Sequence, residues 1–420
     1  MKDNSSDLEK KFFDEINKGL PEQINWKKGA IDYLKNMLKA EGEGANIFHL
    51  LKPFSAASDF NDFYEGMYKF LNVMQILDLP KGSAILDVGC GPGWISHYLG
   101  KLGYYVMGID ISSDLIDIAN KRLLNDISPF PNNQFPVKFI VHDIELNALG
   151  KKLLFDAAIF ESTLHHFYDP ISVLKNVSIN LQEKGIIAIL EGFAPEQSSN
   201  AYKNQLDIMK KFHILERPYT KEQIKTLLKL TGFQHFKFLY PISGVKDLES
   251  NKENEYVKLY IDGPDFNYIF ASRSAERIKY LEKSKSRITH ENPFKASIFI
   301  QNFPDNIKVD DTLMINVKVK NISTQIWQNY DYTDLFSLNF SYHWLDVDGN
   351  VVIFDGIRTP MPHLVKPNTE VDFSAKVQAP SKSGNYVIEL DLVRESITWF
   401  AQKGSETVKI NVKVEDKNIK

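Results

Sequence analysis

A glycine-rich turn at residues 87–94 constrains this 420-residue chain more than any other feature of its sequence. It has the sequence Asp-Val-Gly-Cys-Gly-Pro-Gly-Trp, and it joins a predicted buried strand, SAILDVGC, to a predicted helix. Glycines in such a turn let a ligand approach the bare backbone, and the helix N-terminus adds amide donors and a positive dipole end. The turn therefore predicts a ligand site at the edge of a sheet.

The spacing of the glycines excludes two classes of ligand. A dinucleotide fingerprint, G-x-G-x-x-G, would require glycine at the position of Trp94. A phosphate-binding P-loop would end in G-K-[S/T], which this turn lacks. The pattern that remains is D-x-G-x-G-x-G, from Asp87 to Gly93.

Short apolar runs alternate with helical stretches after residue 81, which is typical of an α/β fold with a parallel sheet and crossover helices. One of these helices starts with a T-x-x-Q capping box, from Thr220 to Gln223, and ends near Gly232. Residues 1–80 lack strand alternation and predict helices. The candidate strands are residues 83–90, 104–111, 137–144, 155–162, 185–193, 233–241 and 266–274.

From residue 291 onwards the apolar period becomes two, which predicts strands with one polar face. Turn signals such as Asp348-Gly349-Asn350 separate them. The strands are expected at 295–303, 312–321, 336–346, 351–359, 370–380, 384–393 and 406–415. This spacing favours an all-β immunoglobulin-like sandwich. The predicted domains are residues 1–80, 81–290 and 291–420.

The D-x-G-x-G-x-G turn, followed by acidic residues at the ends of the next predicted strands, resembles class I S-adenosylmethionine-dependent methyltransferases over roughly residues 60–275. The resemblance implies a Rossmann-like seven-stranded sheet, S-adenosyl-L-methionine as the cofactor, and residues 1–80 as a helical lid. It implies that Asp110 holds the ribose and Asp143 the adenine. The cofactor-binding residues that it implies are Asp87, Gly89, Cys90, Gly91, Gly93, Trp94, Asp110, Ile111, Asp143, Ile144, Glu161 and Leu164. For Trp94 and Cys90 the alternatives are packing over the loop and an inert buried thiol.

The candidate catalytic residues follow from the chemistry of methyl transfer. The sulfonium of the cofactor is an activated leaving group, whereas a hydroxyl acceptor must also lose a proton, so a positioned base is expected. His165 and His166 follow the fourth predicted strand and Glu191 ends the fifth, at the edge where open α/β sheets place ligands. The alternative for the histidines is packing or backbone hydrogen bonding, and a nitrogen or sulfur acceptor would need no base. No metal site is predicted.

The C-terminal segment resembles the β-sandwich appendage of bacterial methyltransferases and glycosyltransferases encoded with surface-polysaccharide genes. This resemblance implies O-methylation of a sugar of a surface polysaccharide or glycolipid. Tyr342, Trp344, Trp399, Arg358 and Asp355 could then form a sugar platform, or the aromatic residues could fill the core. The sandwich could also support a homo-oligomer. Two alternatives remain open: a small metabolite or lipid-like acceptor with a purely structural sandwich, and a non-catalytic binding protein.

The composition excludes several classes of partner, site and cellular location. The 50 basic and 54 acidic residues leave no basic excess for binding nucleic acid. A single cysteine excludes an intramolecular disulfide and a thiolate zinc site. The N-terminus has no apolar signal region, and no apolar run is long enough to span a bilayer. We therefore expect a soluble protein of the reducing cytoplasm.

Overall fold

The chain divides into two compact units in the computed structural model. One comprises Met1–Ser128 and Val137–Ser286, so the predicted lid lies in the same unit as the sheet, and the other comprises Pro129–Pro136 and Arg287–Lys420. The structure describes residues 3–21, 24–42, 51–54, 61–130, 133–150, 153–196, 198–240, 245–246, 256–257, 267–281, 292–329, 334–362 and 364–417. Within these residues no helix combines the length and the hydropathy needed to cross a membrane.

A seven-stranded sheet forms the centre of the first unit, with the order β3-β2-β1-β4-β5-β9-β6. Its strands are β1 (Ala84–Val88), β2 (Tyr105–Asp110), β3 (Val137–Val141), β4 (Phe155–Glu161), β5 (Leu181–Glu191), β6 (His235–Leu239) and β9 (Asn267–Ser272). Each corresponds to one of the seven strands predicted from the sequence. The strands β1 to β5 pair in parallel, so their carboxyl ends lie at one edge.

The last strand departs from the parallel pairing that the alternation of strands and helices predicts. β9 is antiparallel to both β5 and β6. Two strands that run parallel need a crossover connection such as a helix between them. Among the described residues between β6 and β9 there are instead two short antiparallel strands, β7 (Val245–Lys246) and β8 (Tyr256–Val257).

The helices of this unit begin and end at local signals. Thr220 and Gln223 form the predicted capping box of α9, and Gly232 follows that helix with φ +92°. In the N-terminal region, where the sequence predicts helices, Asp32 separates α2 from α3. The described helices are α1 (Asp3–Asn17), α2 (Trp26–Ile31), α3 (Tyr33–Glu41), α4 (Asn61–Leu77), α5 (Trp94–Lys101), α6 (Ser113–Leu124), α7 (Pro170–Ile179), α8 (Asn200–Phe212), α9 (Lys221–Leu230) and α10 (Ala275–Tyr280).

The N-terminal helices α2 and α3 pack against the end of α8. Gly29 of α2 approaches His213 so closely that a Cβ atom there would lie 1.6 Å from the His213 carbonyl oxygen. The side-chain amide of Asn36 donates a hydrogen bond of 2.9 Å to the carbonyl of Phe212. The predicted lid and the segment after β5 thus form one wall beside the carboxyl ends of the strands.

The second unit is β-rich and has one apolar core between two main sheets. One sheet contains β10 (Ala296–Ile300), β12 (Thr312–Asn321) and β18 (Glu370–Gln378). The other contains β11 (Asn306–Lys308), β14 (Leu338–Leu345), β15 (Val351–Ile353), β16 (Thr359–Pro360), β19 (Gly384–Arg394), β20 (Thr398–Trp399) and β21 (Val408–Glu415). A short pair, β13 (Trp327–Gln328) with β17 (Leu364–Val365), completes the described strands.

The aromatic residues considered for a sugar platform are buried, Tyr342 and Trp344 in the core and Trp399 against His343 and Phe354. Tyr342, Trp344 and Trp399 are all buried, and Trp344 is 0% exposed. The indole of Trp344 donates a hydrogen bond to the carbonyl of Gln378. Because β14 is buried along its whole length, its aromatic faces are not available to stack on a ligand. Arg358 is engaged in ion pairs with Asp355 and Glu395.

Candidate active site

A cavity of about 220 Å³ lies at the carboxyl ends of β1 to β4. Most of the residues predicted to bind a ligand line it: Gly89, Cys90, Gly91, Trp94, Asp110, Ile111, Asp143, Ile144, Glu161 and His166. Asp87, Gly93, Leu164, His165 and Glu191 are not part of its lining. We call one end of the cavity the glycine-loop end (residues 87–94 with Asp110 and Asp143). We call the other the histidine end: His166 lines the cavity there, and His165, Glu191 and Glu216 form the cluster of ion pairs next to it.

The glycines of the loop have different roles. Gly89, Gly91 and Gly93 all have positive φ angles, of +68°, +52° and +73°. A Cβ atom at Gly93 would lie 2.5 Å from the ring of Phe139, so this glycine is required by packing. A Cβ atom at Gly91 would meet nothing within 4 Å, and Gly91 lines the cavity. Gly91 is therefore the position where a ligand can approach the backbone.

Asp110 ties the loop to the end of β2. One carboxylate oxygen accepts a hydrogen bond of 2.9 Å from the Gly91 amide, and the other accepts one of 2.8 Å from the Ser112 amide. Burial raises the pKa of Asp110, and these amide bonds act against that shift. Each carboxylate oxygen has a second lone pair, so Asp110 can still accept from a ligand hydroxyl.

Asp87 lies behind the loop and not in the cavity wall. It is 2% exposed and accepts a hydrogen bond of 2.7 Å from the hydroxyl of Ser96. Burial raises the pKa of Asp87 to about 7. Asp87 therefore stabilises the glycine loop through its hydrogen bond to Ser96 and does not face the ligand.

Two neighbouring residues of the loop are also buried. Trp94 packs against Phe70 of α4, with ring centroids 6.1 Å apart. Burial raises the pKa of the Cys90 thiol, which disfavours the reactive thiolate. Both observations agree with the alternatives of packing and an inert thiol.

Asp143 is paired with a lysine that the sequence patterns did not indicate. The amine of Lys27 in α2 lies 2.5 Å from the Asp143 carboxylate and 3.7 Å from that of Glu145. Lys27 lines the cavity. No local motif marks this lysine, because its contact depends on how α2 packs against a loop more than a hundred residues away.

At the histidine end, Glu191 fixes the turn that contains both histidines, Leu164–His166. One oxygen of Glu191 accepts a hydrogen bond of 2.7 Å from the Leu164 amide, and the other lies 2.6 Å from Nδ1 of His165. Nε2 of His165 lies 3.3 Å from the carboxylate of Glu216. Burial lowers the pKa of His165, but the two carboxylates raise it to about 10.

His166 is the one of the three predicted catalytic residues that lines the cavity. Its Nδ1 lies 2.6 Å from the carbonyl oxygen of Leu215 and donates to it. Burial and the neighbouring His165 lower the pKa of His166. Glu216, 3.7 Å from Nδ1 of His166, was missed because it lies in an irregular segment without a recognisable motif.

The glycine-loop end has the donor and acceptor set that S-adenosyl-L-methionine requires. An exposed glycine backbone, a carboxylate with free lone pairs at the end of β2 and a second carboxylate at the end of β3 surround one cavity. The carboxylates can accept from vicinal hydroxyls and from an amino group, and Ile111 and Ile144 add apolar surface. The residues present therefore fit this cofactor.

Comparison with known proteins agrees with this fit. Residues 67–236 match the family model of a methyltransferase domain. A ubiquinone biosynthesis O-methyltransferase of Coxiella burnetii is 32% identical over 105 residues, which are 25% of this chain and 42% of that protein. A ubiquinone biosynthesis O-methyltransferase of Xanthomonas campestris pv. campestris is 28% identical over 106 residues, 25% of this chain and 41% of that protein. The chain thus spans less than half the length of these relatives.

A solved methyltransferase structure is also similar to part of the chain. Phosphoethanolamine N-methyltransferase 2 of Haemonchus contortus is 18% identical, with a TM-score of 0.39 over 50% of this chain and 46% of that one. The family match supports the predicted resemblance to S-adenosylmethionine-dependent methyltransferases, and with it S-adenosyl-L-methionine as the cofactor. Residues 67–236 are thus similar to methyltransferase domains.

Proposed function

We propose that this protein is an S-adenosylmethionine-dependent O-methyltransferase whose cofactor binds at the glycine-loop end of the cavity. The observation that carries the proposal is the open backbone of Gly91, held by the carboxylate of Asp110 inside the matched domain. When bound, the cofactor supplies a methyl group on a positively charged sulfur.

The predicted cofactor residues have distinct roles in this proposal. Asp110 accepts from the ribose hydroxyls, and Asp143 accepts from the adenine amino group while it retains Lys27. Ile111 and Ile144 contact the adenine ring, and Glu161 lies at the methionine end. Gly89, Cys90 and Gly91 provide the backbone surface, whereas Asp87, Gly93, Trp94 and Leu164 support the loop and the turn from behind.

The lid proposal has a specific contact to support it. Trp26, Lys27, Ala30 and Tyr33, all from the N-terminal helices, line the cavity. Lys27 forms the ion pair with Asp143. We propose that these helices exclude water from the cofactor and help to select the acceptor.

The acceptor hydroxyl is proposed to bind at the histidine end. His166 lines the cavity there, and Glu191 positions the turn through Leu164 and His165. These groups hold the acceptor oxygen and promote loss of its proton. His166 contacts the acceptor in this scheme, and His165 and Glu191 act through the turn.

A sugar of a surface polysaccharide or glycolipid remains one proposed acceptor, supported by the likeness of the C-terminal segment to polysaccharide-associated appendages. A small or lipid-like hydroxyl compound is the second. It is supported by the relatives named for ubiquinone biosynthesis and by the apolar residues that line the cavity, such as Tyr33, Phe167 and Leu215. The burial of Tyr342, Trp344 and Trp399 removes one argument for the sugar.

The C-terminal unit is proposed to be an immunoglobulin-like sandwich with a structural or docking role. Its two sheets with a shared core support this proposal. The unit could also hold a homo-oligomer together, and light scattering of the full-length protein tests this. A measured mass near 48.2 kDa, that of one chain, would exclude a stable homo-oligomer.

The function is tested by incubating the full-length protein with S-adenosyl-L-methionine carrying a labelled methyl group. Oligosaccharides, glycolipids, and phenolic small molecules with apolar tails serve as acceptors, and calorimetry measures cofactor binding separately. Label in one acceptor class identifies the substrate type. Cofactor binding with no label in any class would support the third alternative, a non-catalytic protein, and absence of cofactor binding would refute the proposal.

A further inference from the structure

The histidine end brings together three side chains that can bind a metal ion. One nitrogen of His165, one nitrogen of His166 and one carboxylate oxygen of Glu216 lie within 4.8 Å of one another. Nε2 of His165 is 3.3 Å from the Glu216 oxygen. Two ligands of a tetrahedral zinc ion, with bonds of about 2.0–2.1 Å, lie about 3.4 Å apart. This pair already has the separation that a shared ion requires.

Each imidazole ring has one nitrogen that is held by a hydrogen bond. Nδ1 of His165 is held at 2.6 Å by Glu191, and Nδ1 of His166 is held at 2.6 Å by the carbonyl of Leu215. Histidines that bind metals in proteins almost always donate their other N–H to a carboxylate or a backbone carbonyl. Nε2 of His165 faces the Glu216 carboxylate at 3.3 Å, and Nδ1 of His166 lies 3.7 Å from the same carboxylate.

The charges and ligand types at this end select the class of ion. The carboxylates of Glu191 and Glu216 together balance one divalent cation when both imidazoles are neutral. Two imidazoles and one carboxylate suit zinc and similar transition metals, whereas magnesium and calcium prefer oxygen ligands. Three protein ligands leave a coordination position for a further molecule.

We propose that His165, His166 and Glu216 bind a divalent transition-metal ion that activates the acceptor hydroxyl. The activation step rests on the proposed methyltransferase function, whereas the metal site does not. His166 lines the cavity, so the open position is accessible to an acceptor there. The bound hydroxyl gives its proton to water, and its oxygen bonds to the methyl carbon. The electron pair of the carbon–sulfur bond returns to sulfur, which leaves as a neutral thioether.

Zinc(II) binding to the chelator-treated full-length protein tests the site directly. Calorimetry should show about one ion per chain, and cobalt(II) should give visible absorption bands of a nitrogen- and oxygen-ligated site. Glu216→Gln should weaken zinc binding by at least about 100-fold, and Glu191→Gln by about 10- to 100-fold, because Glu191 orients His165.

Matched variants separate this site from adventitious binding. Glu222→Gln changes an exposed carboxylate of the same region, and His213→Asn changes an exposed histidine in a left-handed conformation that asparagine tolerates. Both should bind zinc as the unmodified protein does. Circular dichroism of every variant confirms that it is folded.

Two outcomes would overturn the proposal. One is the absence of zinc and cobalt binding to the unmodified protein, and the other is equal binding by the folded Glu216→Gln variant. In either case a proton, not a metal, joins His165 to Glu216. Binding of S-adenosyl-L-methionine is measured on the same samples. Zinc binding without cofactor binding would refute the proposed methyltransferase function but support the metal site. Cofactor binding without zinc binding would support the methyltransferase function and refute the metal site.

Discussion

The two ends of the cavity are built in different ways. The glycine-loop end consists of consecutive residues, 87–94, together with acidic residues at the ends of two adjacent strands. The histidine end is assembled from three segments that are separate in the chain, around residues 165, 191 and 216. A ligand site made of one continuous turn is visible in the sequence, whereas a site assembled by tertiary packing is visible only in part.

The largest expected effect on cofactor binding is at the glycine-loop end. Gly91→Arg should weaken S-adenosyl-L-methionine binding by at least about 100-fold, or about 2.7 kcal/mol, because the side chain enters the cavity at the open backbone. Gly232→Arg is the matched control, since Gly232 also has positive φ and open space around its Cβ position. Calorimetry should find normal affinity in this control, and equal losses in both variants would contradict a specific role for Gly91.

The buried carboxyl of Asp87 predicts a pH effect that also belongs to the glycine-loop end. Its folded-state pKa, about 7, lies above the unfolded value of 3.8, so the folded state retains a proton that the unfolded state loses. Its contribution to stability is therefore present below about pH 4 and is lost as the pH rises through about 7, by about 4 kcal/mol in all.

Asp87→Asn should remove this pH dependence. Urea unfolding of both proteins between about pH 5 and pH 8 measures the difference, with the variant gaining stability relative to the unmodified protein as the pH rises. A difference that stays constant over this range would show that Asp87 does not hold its proton as proposed.

At the histidine end, Glu191→Gln should reduce turnover and spare cofactor binding. The amide can still accept from Leu164 but no longer from Nδ1 of His165, so methyl transfer should fall by about 10- to 100-fold. The control is Glu183→Gln on the same strand, where the side chain is exposed. Loss of cofactor affinity in Glu191→Gln would mean that the two ends do not act separately.

The smallest effect is expected for Asp110→Asn. Asparagine keeps one acceptor for the loop but loses the charge, so cofactor affinity should fall by about tenfold, or about 1.4 kcal/mol. Asp114→Asn, which affects only a surface pair with Lys35, should bind normally. Turnover of Asp110→Asn at saturating cofactor should remain near normal, because Asp110 binds the cofactor and does not remove the proton. A large loss of turnover under these conditions would contradict this role.

Local patterns predicted what depends on local interactions. All seven strands of the mixed sheet, the capping box of α9, and Asp110 and Asp143 at the cavity follow from runs of a few residues. The antiparallel direction of β9 could not be predicted, because strand direction depends on the connection and not on the pattern within the strand.

Contacts between distant segments were also beyond the sequence patterns. Lys27 and Glu216 lie in segments without a motif, and each reaches the cavity through packing of α2 or of the chain after α8. Likewise, alternation showed that the C-terminal strands have apolar faces, but it could not show that Trp344 lies in the core or that Trp399 is buried against His343 and Phe354.

A crystal structure of the full-length protein with S-adenosyl-L-homocysteine tests the central claim most directly. We predict that the ribose hydroxyls lie within hydrogen-bond distance of the Asp110 carboxylate, that the adenine lies beside Asp143, and that the sulfur points toward the histidine end. A ligand bound elsewhere, or an empty cavity at saturating ligand, would contradict the claim that this cavity is the cofactor site.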